Sequence, residues 1–268
     1  MNSSYYGWGL PIDISKNGWR VDQLIIVVHW MMAVLFVGWF CFLIYTLIRF
    51  RAREGHKAEY HTKHFKAPTF LEVLVAITEV ILLCAFSFPI WHQYTQELPE
   101  PGKALHVRVV AEQFAWNIHY PGADGMFGKA DPKLMNASNP LGLDPADPMG
   151  ADDISTINQL QIPVNQPVIV DLSSKDVIHS FSLPVMRVKQ DAIPGQKIKL
   201  WFEAVKTGEF EIACAQLCGL GHYRMRGFFT VLERDKYDEW MAEQVKMKAP
   251  VEVPAALPAT ITPEATHA

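Results

Sequence analysis

The feature that most constrains this chain is a long apolar segment near its N-terminus. Residues 24–48 contain no Asp, Glu, Lys or Arg, and His29 is their one basic side chain. At about 1.5 Å per residue, a helix of this length crosses the ~30 Å hydrocarbon core of a bilayer with some tilt. A second apolar run, residues 70–91, is interrupted by Glu72 and Glu79. The two runs predict a hairpin of two transmembrane helices.

The basic residues indicate how this hairpin is oriented. Six Lys or Arg residues lie in the connecting segment 49–69, whereas residues 1–23 hold only Lys16 and Arg20. Because short cytoplasmic loops carry an excess of Lys and Arg, we expect 49–69 to be cytoplasmic and both ends of the hairpin to lie outside. The first run is too long for the apolar core of a signal peptide, and no small-residue cleavage site follows it.

From about residue 98 the sequence changes character. Short segments rich in β-branched and aromatic residues alternate with Gly and Pro. This pattern is typical of an all-β sandwich or Greek-key barrel, and we predict one such domain over 98–248. The predicted strands are 106–111, 114–120, 168–172, 178–183, 197–202, 209–213 and 227–232.

Three further segments complete the predicted organisation. Residues 121–157 are rich in Gly, Pro, Asp and Asn, which indicates a long surface insertion. Residues 234–248 form an amphipathic pattern that predicts a closing helix. The Pro/Ala/Thr-rich residues 249–268 are predicted to be a disordered tail.

Composition excludes two classes of protein. A net charge of −4 and a pI near 6.2 lack the basic excess of a nucleic-acid-binding protein. Four cysteines in 268 residues are too few for a disulfide scaffold, but they are sufficient for a metal site.

A cluster of soft ligands occurs in a Gly-rich loop between two predicted strands. Its pattern is Cys214-x3-Cys218-x3-His222-x2-Met225, and His179 lies 35 residues upstream of Cys214. Thiolate and thioether sulfur combined with imidazole favours copper over zinc.

The number of thiolates bears on the number of metal ions. A mononuclear blue-copper site uses one Cys, two His and an axial Met, so the second thiolate suggests two coppers. Two four-coordinate ions are satisfied by two bridging thiolates, two imidazoles, Met225 and one backbone carbonyl near Gln216. The alternative is that Cys214 and Cys218 form a disulfide, with His222 and Met225 merely nearby.

The copper-loop pattern resembles that of cytochrome c oxidase subunit II, in the haem-copper oxidase superfamily. The resemblance covers roughly residues 20–245, including the aromatic segment 114–120 and the segment 191–195. It implies a two-helix membrane hairpin followed by an all-β cupredoxin-like Greek-key domain. It also implies a multi-pass protein of the bacterial inner membrane with a periplasmic C-terminal domain. The ligands of a binuclear copper A centre would be His179, Cys214, the carbonyl of Gln216, Cys218, His222 and Met225.

The same resemblance implies a function and partners. Electrons would pass from cytochrome c to the copper centre and then to haem in subunit I, where oxygen is reduced at haem and copper B and protons are pumped. Subunit III and membrane lipid would be further neighbours. No Cys-x-x-Cys-His motif occurs, so the haem c donor would be a separate chain. The mild negative charge of residues 97–248 permits a basic cytochrome c to dock.

Four residues are given roles by the resemblance alone. Phe114 aligns with the Trp through which electrons enter, and Trp116, which matches a second aromatic residue, is the alternative residue for electron entry from a docked donor. Glu72 matches an acid at the mouth of a proton-uptake path, although an interfacial Glu that reaches water is the simpler interpretation. Gln216 replaces a Glu whose carboxylate reaches a magnesium ion at the subunit I interface, which puts that magnesium in doubt.

Two other functions use similar chemistry. The chain could be a membrane-anchored copper A subunit of another reductase, of the nitric oxide type, or a copper carrier. A closed set of six ligands in a β scaffold favours electron transfer over metal release.

Overall fold

A computed structural model of the chain describes residues 9–55, 57, 66–100, 102–122, 124–136 and 138–248. The predicted disordered tail, 249–268, lies outside the described residues. So do residues 1–8 and part of the predicted cytoplasmic segment 49–69.

Two long apolar helical rods precede the β domain. The first is α1, Gly18–Arg49, which begins six residues before the predicted start. The second contains α2 (Ala67–Leu82), a π-helical turn (Leu83–Ser87) and α3 (Phe88–Thr95). Both are long and apolar enough to cross a membrane, as the predicted hairpin requires. Their orientation remains a prediction.

The π-helical turn has a cause in the sequence. Pro89 lies in the first turn of α3, where it has no N–H to donate and its ring crowds the carbonyl four residues earlier. A widened turn immediately before it relieves this conflict without breaking the rod.

The C-terminal part of the chain is a sandwich of two five-stranded sheets. The strand order is β3-β2-β1-β5-β8 in the first sheet and β4-β10-β9-β6-β7 in the second. Strands β1 and β5 pair in parallel, as do β10 and β4, and the other pairs are antiparallel. The bounds are β1 Leu105–Glu112, β2 Ala115–Tyr120, β3 Ile154–Ile157, β4 Gln159–Pro163, β5 Pro167–Ser174, β6 His179–Leu183, β7 Val188–Ala192, β8 Ile198–Glu203, β9 Gly208–Cys214 and β10 Arg226–Leu232.

Every predicted strand is present, and three strands were missed: β3, β4 and β7. The prediction that 121–157 is entirely a surface insertion is wrong at its C-terminal end. Residues 154–157 form β3, which extends the first sheet by pairing with β2. A four-residue strand bounded by polar loops has too few alternations to be recognised from its pattern.

The core lies between the two sheets and follows the period-2 alternation of the strands. Trp116, Ile118 and Tyr120 of β2 all point inward and are completely buried. The closing helix α4, Arg234–Lys248, has the predicted bounds. Its Trp240 packs edge-on against Tyr120, with ring centroids 5.4 Å apart. The predicted fold class, an apolar helical hairpin and an all-β sandwich, is confirmed.

The helical rods are fastened to the sandwich by polar contacts at their ends. Arg187, in the turn after β6, forms a bidentate ion pair with Asp22 of α1 at 2.6 and 3.0 Å. Both side chains are about 95 % buried, which makes this contact shielded from solvent. Trp201 of β8 donates a hydrogen bond to the carbonyl of Gln93 in α3.

Candidate metal centre

The strand order of the second sheet brings distant parts of the sequence to one edge. Strand β9 lies between β6 and β10 and is antiparallel to both. His179 begins β6, Cys214 ends β9, and Met225 immediately precedes β10. Antiparallel pairing places these three positions at the same end of the sheet.

The loop 215–225 folds back over this edge. The backbone N–H of Ala215 donates to the carbonyl of Ser180 at 3.0 Å, which ties the start of the loop to β6. A 3-10 turn at His222–Arg224 closes its end, and the carbonyl of Met225 accepts a hydrogen bond from the N–H of Cys214 in β9 at 3.3 Å. The loop is therefore held at both ends by backbone hydrogen bonds.

The cysteine sulfurs lie at the centre of the resulting cluster. The Sγ atoms of Cys214 and Cys218 are 3.9 Å apart. Cys218 Sγ lies 3.6 Å from both Nδ1 of His222 and Sδ of Met225. Cys214 Sγ lies 3.2 Å from the carbonyl oxygen of Gln216.

His179 completes the cluster from the β6 side. Its Nδ1 lies 3.2 Å from Sδ of Met225. One donor atom each from His179, Cys214 and Cys218 lies within 4.8 Å of the other two. All six donor groups predicted from the sequence therefore meet in one place.

The alternative of a Cys214–Cys218 disulfide does not match this geometry. A disulfide holds its sulfurs about 2.05 Å apart, and both cysteines are free thiols. Their sulfurs instead face imidazole, thioether and carbonyl donors.

The chemistry of the donors fits copper. His179, Cys218 and Met225 are at least 96 % buried, and two thiols, two imidazoles and a thioether form a soft donor set. No carboxylate is among the six groups, which argues against a hard cation at the same position.

Burial has a consequence for the thiols. Desolvation, reinforced by the neighbouring Cys214, raises the pKa of the Cys218 thiol to about 11. The thiolate is the metal-binding form, so a proton must leave when a metal binds.

Asp176 fixes the direction in which His179 points. Its Oδ1 lies 2.8 Å from His179 Nε2, on the side of the ring away from the cluster. The carboxylate also accepts backbone N–H groups of Gln113 and Val177, each at 2.7 Å. Partial burial raises the pKa of Asp176, but these hydrogen bonds outweigh it and leave the pKa below its ordinary value. Asp176 was not among the residues predicted from the sequence, although an acid three positions before a candidate ligand was a usable signal.

Gln113 is a second residue of the site that was not predicted from the sequence. Its side-chain Nε2 donates to the carbonyl of Cys218 at 2.6 Å, while its backbone binds Asp176. It thus links the copper-ligand loop to the group that orients His179. Asp176 and Cys218 are 63 and 105 residues from Gln113 in the sequence, so no local sequence pattern reveals these contacts.

The two aromatic candidates for electron entry have different environments. Phe114 is half-buried and its ring lies against the glycines of the loop, where a Cβ on Gly221 would overlap it. Trp116 is completely buried and packs against His179 and Phe181. Trp116 offers no surface for direct contact with a donor, because in β2 its side chain points into the core.

Glu72 lies in the first half of α2 and Glu79 two turns later, and both are exposed in this chain. Their positions agree with the predicted helix but do not test a role in proton uptake.

Comparisons with known proteins show the family to which the chain belongs. Residues 105–231 match the family model described as cytochrome C oxidase subunit II, periplasmic domain. The alternative cytochrome c oxidase subunit 2 of Bradyrhizobium diazoefficiens is 33 % identical over 238 residues, covering 88 % of this chain and 84 % of that protein. The chain belongs to the cytochrome c oxidase subunit II family.

Other members of the family are also similar. Cytochrome c oxidase subunit 2 of Cereibacter sphaeroides is 28 % identical over 253 residues, covering 87 % of this chain and 80 % of that protein. A crystal structure of the periplasmic domain of subunit II of cytochrome oxidase from Bradyrhizobium japonicum covers 56 % of this chain and 99 % of its own, at 31 % identity and a TM-score of 0.41.

Membership of the subunit II family shows the kind of complex to which the protein belongs. It is a subunit of a cytochrome c oxidase, in a family that carries a copper A centre. Its two apolar helices and the match to a periplasmic domain fit an inner-membrane protein with a periplasmic C-terminal domain.

Proposed function

We propose that this chain is the electron-entry subunit of an aerobic terminal oxidase. It holds a binuclear copper A centre, takes electrons from a cytochrome c and delivers them to haem in subunit I, where oxygen reduction drives proton pumping. The observation that carries this proposal is the convergence of six soft or carbonyl donors at one end of the second sheet.

Each donor group has an assigned place in the proposed centre. The thiolates of Cys214 and Cys218 and the imidazoles of His179 and His222 would hold the two ions. Met225 and the carbonyl of Gln216 complete the set. When bound, such a centre supplies one-electron transfer. Asp176 and Gln113 hold the ligands in position, which reduces the rearrangement that accompanies a change of charge.

Burial of the ligands favours electron transfer over a copper-carrier function. A carrier must give up its metal, whereas His179, Cys218 and Met225 are almost inaccessible and their loop is tied at both ends. The other alternative is a subunit of a nitric oxide type reductase. No feature of the described residues favours that function.

Two further assignments complete the proposal. Phe114 is the aromatic contact beside the copper loop, and subunit I and subunit III pack against the membrane helices.

Gln216 offers a neutral amide in place of a carboxylate, so we do not assign a magnesium ligand to this chain.

The test is a metal count and an electron paramagnetic resonance spectrum of the purified complex. We expect two coppers per chain in addition to any in other subunits, and an unpaired electron shared between two equivalent nuclei. Cys218→Ser should abolish this signal. Ser182→Cys, in β6, should leave it intact. One copper per chain with the hyperfine pattern of a single nucleus would contradict the binuclear assignment. A purified complex without a haem-bearing partner would contradict the oxidase role.

A further inference from the structure

A cleft of about 480 Å³ lies on the outer face of the first sheet and extends to Ser174 and Lys175. The segment between β2 and β3 covers it. The volume is in the range of small-molecule sites, about 300–1,000 Å³. None of the six proposed copper ligands lines it.

The two walls of this cleft differ in chemistry. The covering segment contributes an apolar wall that includes Met135, Leu141 and Leu143. The strands contribute a polar wall that includes Arg108, His119, Asp171, Ser173 and Lys197. Such a cleft suits a molecule with an apolar body and a polar head.

Arg108 is the central feature of the polar wall. It lies directly opposite Asp171 in the pairing of β1 with β5, yet no ion pair or hydrogen bond joins its guanidinium to any residue in the described part of the chain. The guanidinium instead lies over the ring of Phe127, 4.0 Å from its centroid. Stacking uses the face of the guanidinium and leaves the N–H groups at its edge available for a planar acceptor.

Burial of Arg108 supports this interpretation. The residue is about half-buried, and desolvation lowers its pKa despite the nearby Asp171 and Asp153. Donors removed from water without acceptors cost free energy. A bound carboxylate or phosphate would satisfy them in the bidentate manner that suits arginine.

The charges that face the cleft favour an anion. Lys175 is paired with Glu112, and His119 is paired with the buried Asp153. Lys197 has no ion pair among the described residues. Among the residues that line the cleft, Arg108 and Lys197 are thus unpaired cations against the single acid Asp171, and the buried Asp153 beside His119 offsets part of the charge of Arg108.

We propose that this cleft binds a small organic anion. The Arg108 fork holds its carboxylate or phosphate, Lys197 adds attraction, and the apolar body lies against Met135 and Leu141. This site is independent of the proposed electron-transfer role and of the copper ligands.

Equilibrium dialysis of the purified oxidase complex tests the proposal with three probes: phenylacetate, phenyl phosphate and the uncharged benzyl alcohol. We expect one saturable site per chain for at least one of the two anions. The affinity for benzyl alcohol should be at least about tenfold weaker than the affinity for that anion.

The variant Arg108→Met keeps an apolar side chain over Phe127 but cannot form charged hydrogen bonds. This loss should weaken anion binding by about 10- to 100-fold. Lys197→Met should weaken it by about threefold. The matched control is Lys236→Met, on the exposed face of α4, which should bind as the unaltered complex does.

A second variant keeps the test decisive if Arg108→Met fails to fold. Ser173→Trp fills the cleft but retains the guanidinium, and it should abolish binding while the visible spectrum of the copper centre remains unchanged. Absence of saturable anion binding to the unaltered complex would overturn the proposal. So would equal anion binding by the unaltered, Arg108→Met and Ser173→Trp complexes.

Discussion

The side-chain amide of Gln113 donates a hydrogen bond to the backbone carbonyl of Cys218, with 2.6 Å between the two atoms. The contact joins the turn between β1 and β2 to the copper-ligand loop, across the two sheets of the sandwich. Through its backbone, the same residue also binds Asp176.

Replacing Gln113 therefore tests how firmly the loop is held. Gln113→Ala removes the contact, and we expect a loss of about 1 kcal/mol in stability and faster release of copper to a chelator. Gln196→Ala, on an exposed turn, is the control and should retain copper normally. Copper retained against a chelator over time is the measurement. Identical release curves for the two variants would show that the loop does not depend on this link.

Asp176→Asn tests the orientation of His179. An amide is a weaker acceptor for the ring N–H than a carboxylate, and loss of such a partner typically costs about 10- to 100-fold in metal affinity. We expect that loss, together with a shifted midpoint potential, while the fold remains intact. Asp235→Asn, an exposed residue of α4, controls for the change of charge. An unchanged affinity and potential would mean that packing alone orients the imidazole.

Phe114 and Trp116 should differ sharply when each is replaced by alanine. Phe114→Ala should slow reduction of the copper centre by cytochrome c and leave its visible spectrum unchanged. Trp116→Ala removes a completely buried side chain and should destabilise the domain by about 3–5 kcal/mol. Phe228→Ala, an exposed phenylalanine of β10, is the control.

Stopped-flow reduction and thermal unfolding separate the two effects. The assignment of Phe114 fails if its variant is reduced at the rate of the unaltered chain. The assignment of Trp116 to the core fails if its variant unfolds at the normal temperature.

His119 gives a prediction about pH. Its imidazole is buried beside Asp153, with 2.6 Å between Nε2 and Oδ2, and burial lowers its pKa below the ordinary value. The unfolded chain then binds a proton that the folded chain does not, so stability falls as pH drops through about 6.5. His119→Gln should flatten this part of the profile, whereas His106→Gln should not. Melting temperatures from pH 5 to 8 provide the measurement, and parallel profiles for all three proteins would refute this account.

Glu72→Gln tests the proposed proton-uptake role. If the carboxyl group relays protons, the variant should turn over more slowly, with normal copper content and normal reduction of the copper centre. Glu97→Gln, just beyond the C-terminal end of α3, is the control. The measurement is oxygen consumption across a range of pH. Normal turnover in the Glu72→Gln variant would contradict a role in proton uptake and would favour the interpretation that Glu72 is an interfacial residue that reaches water.

The sequence alone determined the parts of this protein that depend on local pattern. Two long apolar runs, the second broken only by Glu72 and Glu79, predicted the two helices, because a helix that can cross a bilayer needs mainly sufficient length and few charges. Periodicity found the longer strands, and the spacing from Cys214 to Met225 predicted a copper loop because few other sites combine two thiolates with imidazole and thioether. Short β3, inside a polar segment, carried too little pattern to be recognised.

Tertiary structure decided what depends on which strands become neighbours. The pairing of β6 with β9 brought His179 to Cys214, and a turn far away in sequence supplied Gln113. The direction of Trp116, into the core instead of toward a partner, followed from the register of β2 in its sheet. Arg108 and Lys197 likewise face one cleft only because β1 and β8 flank β5 and a long segment folds over them. Such contacts join residues that are tens of positions apart in the sequence. They depend on the packing of the whole domain, which no single segment encodes.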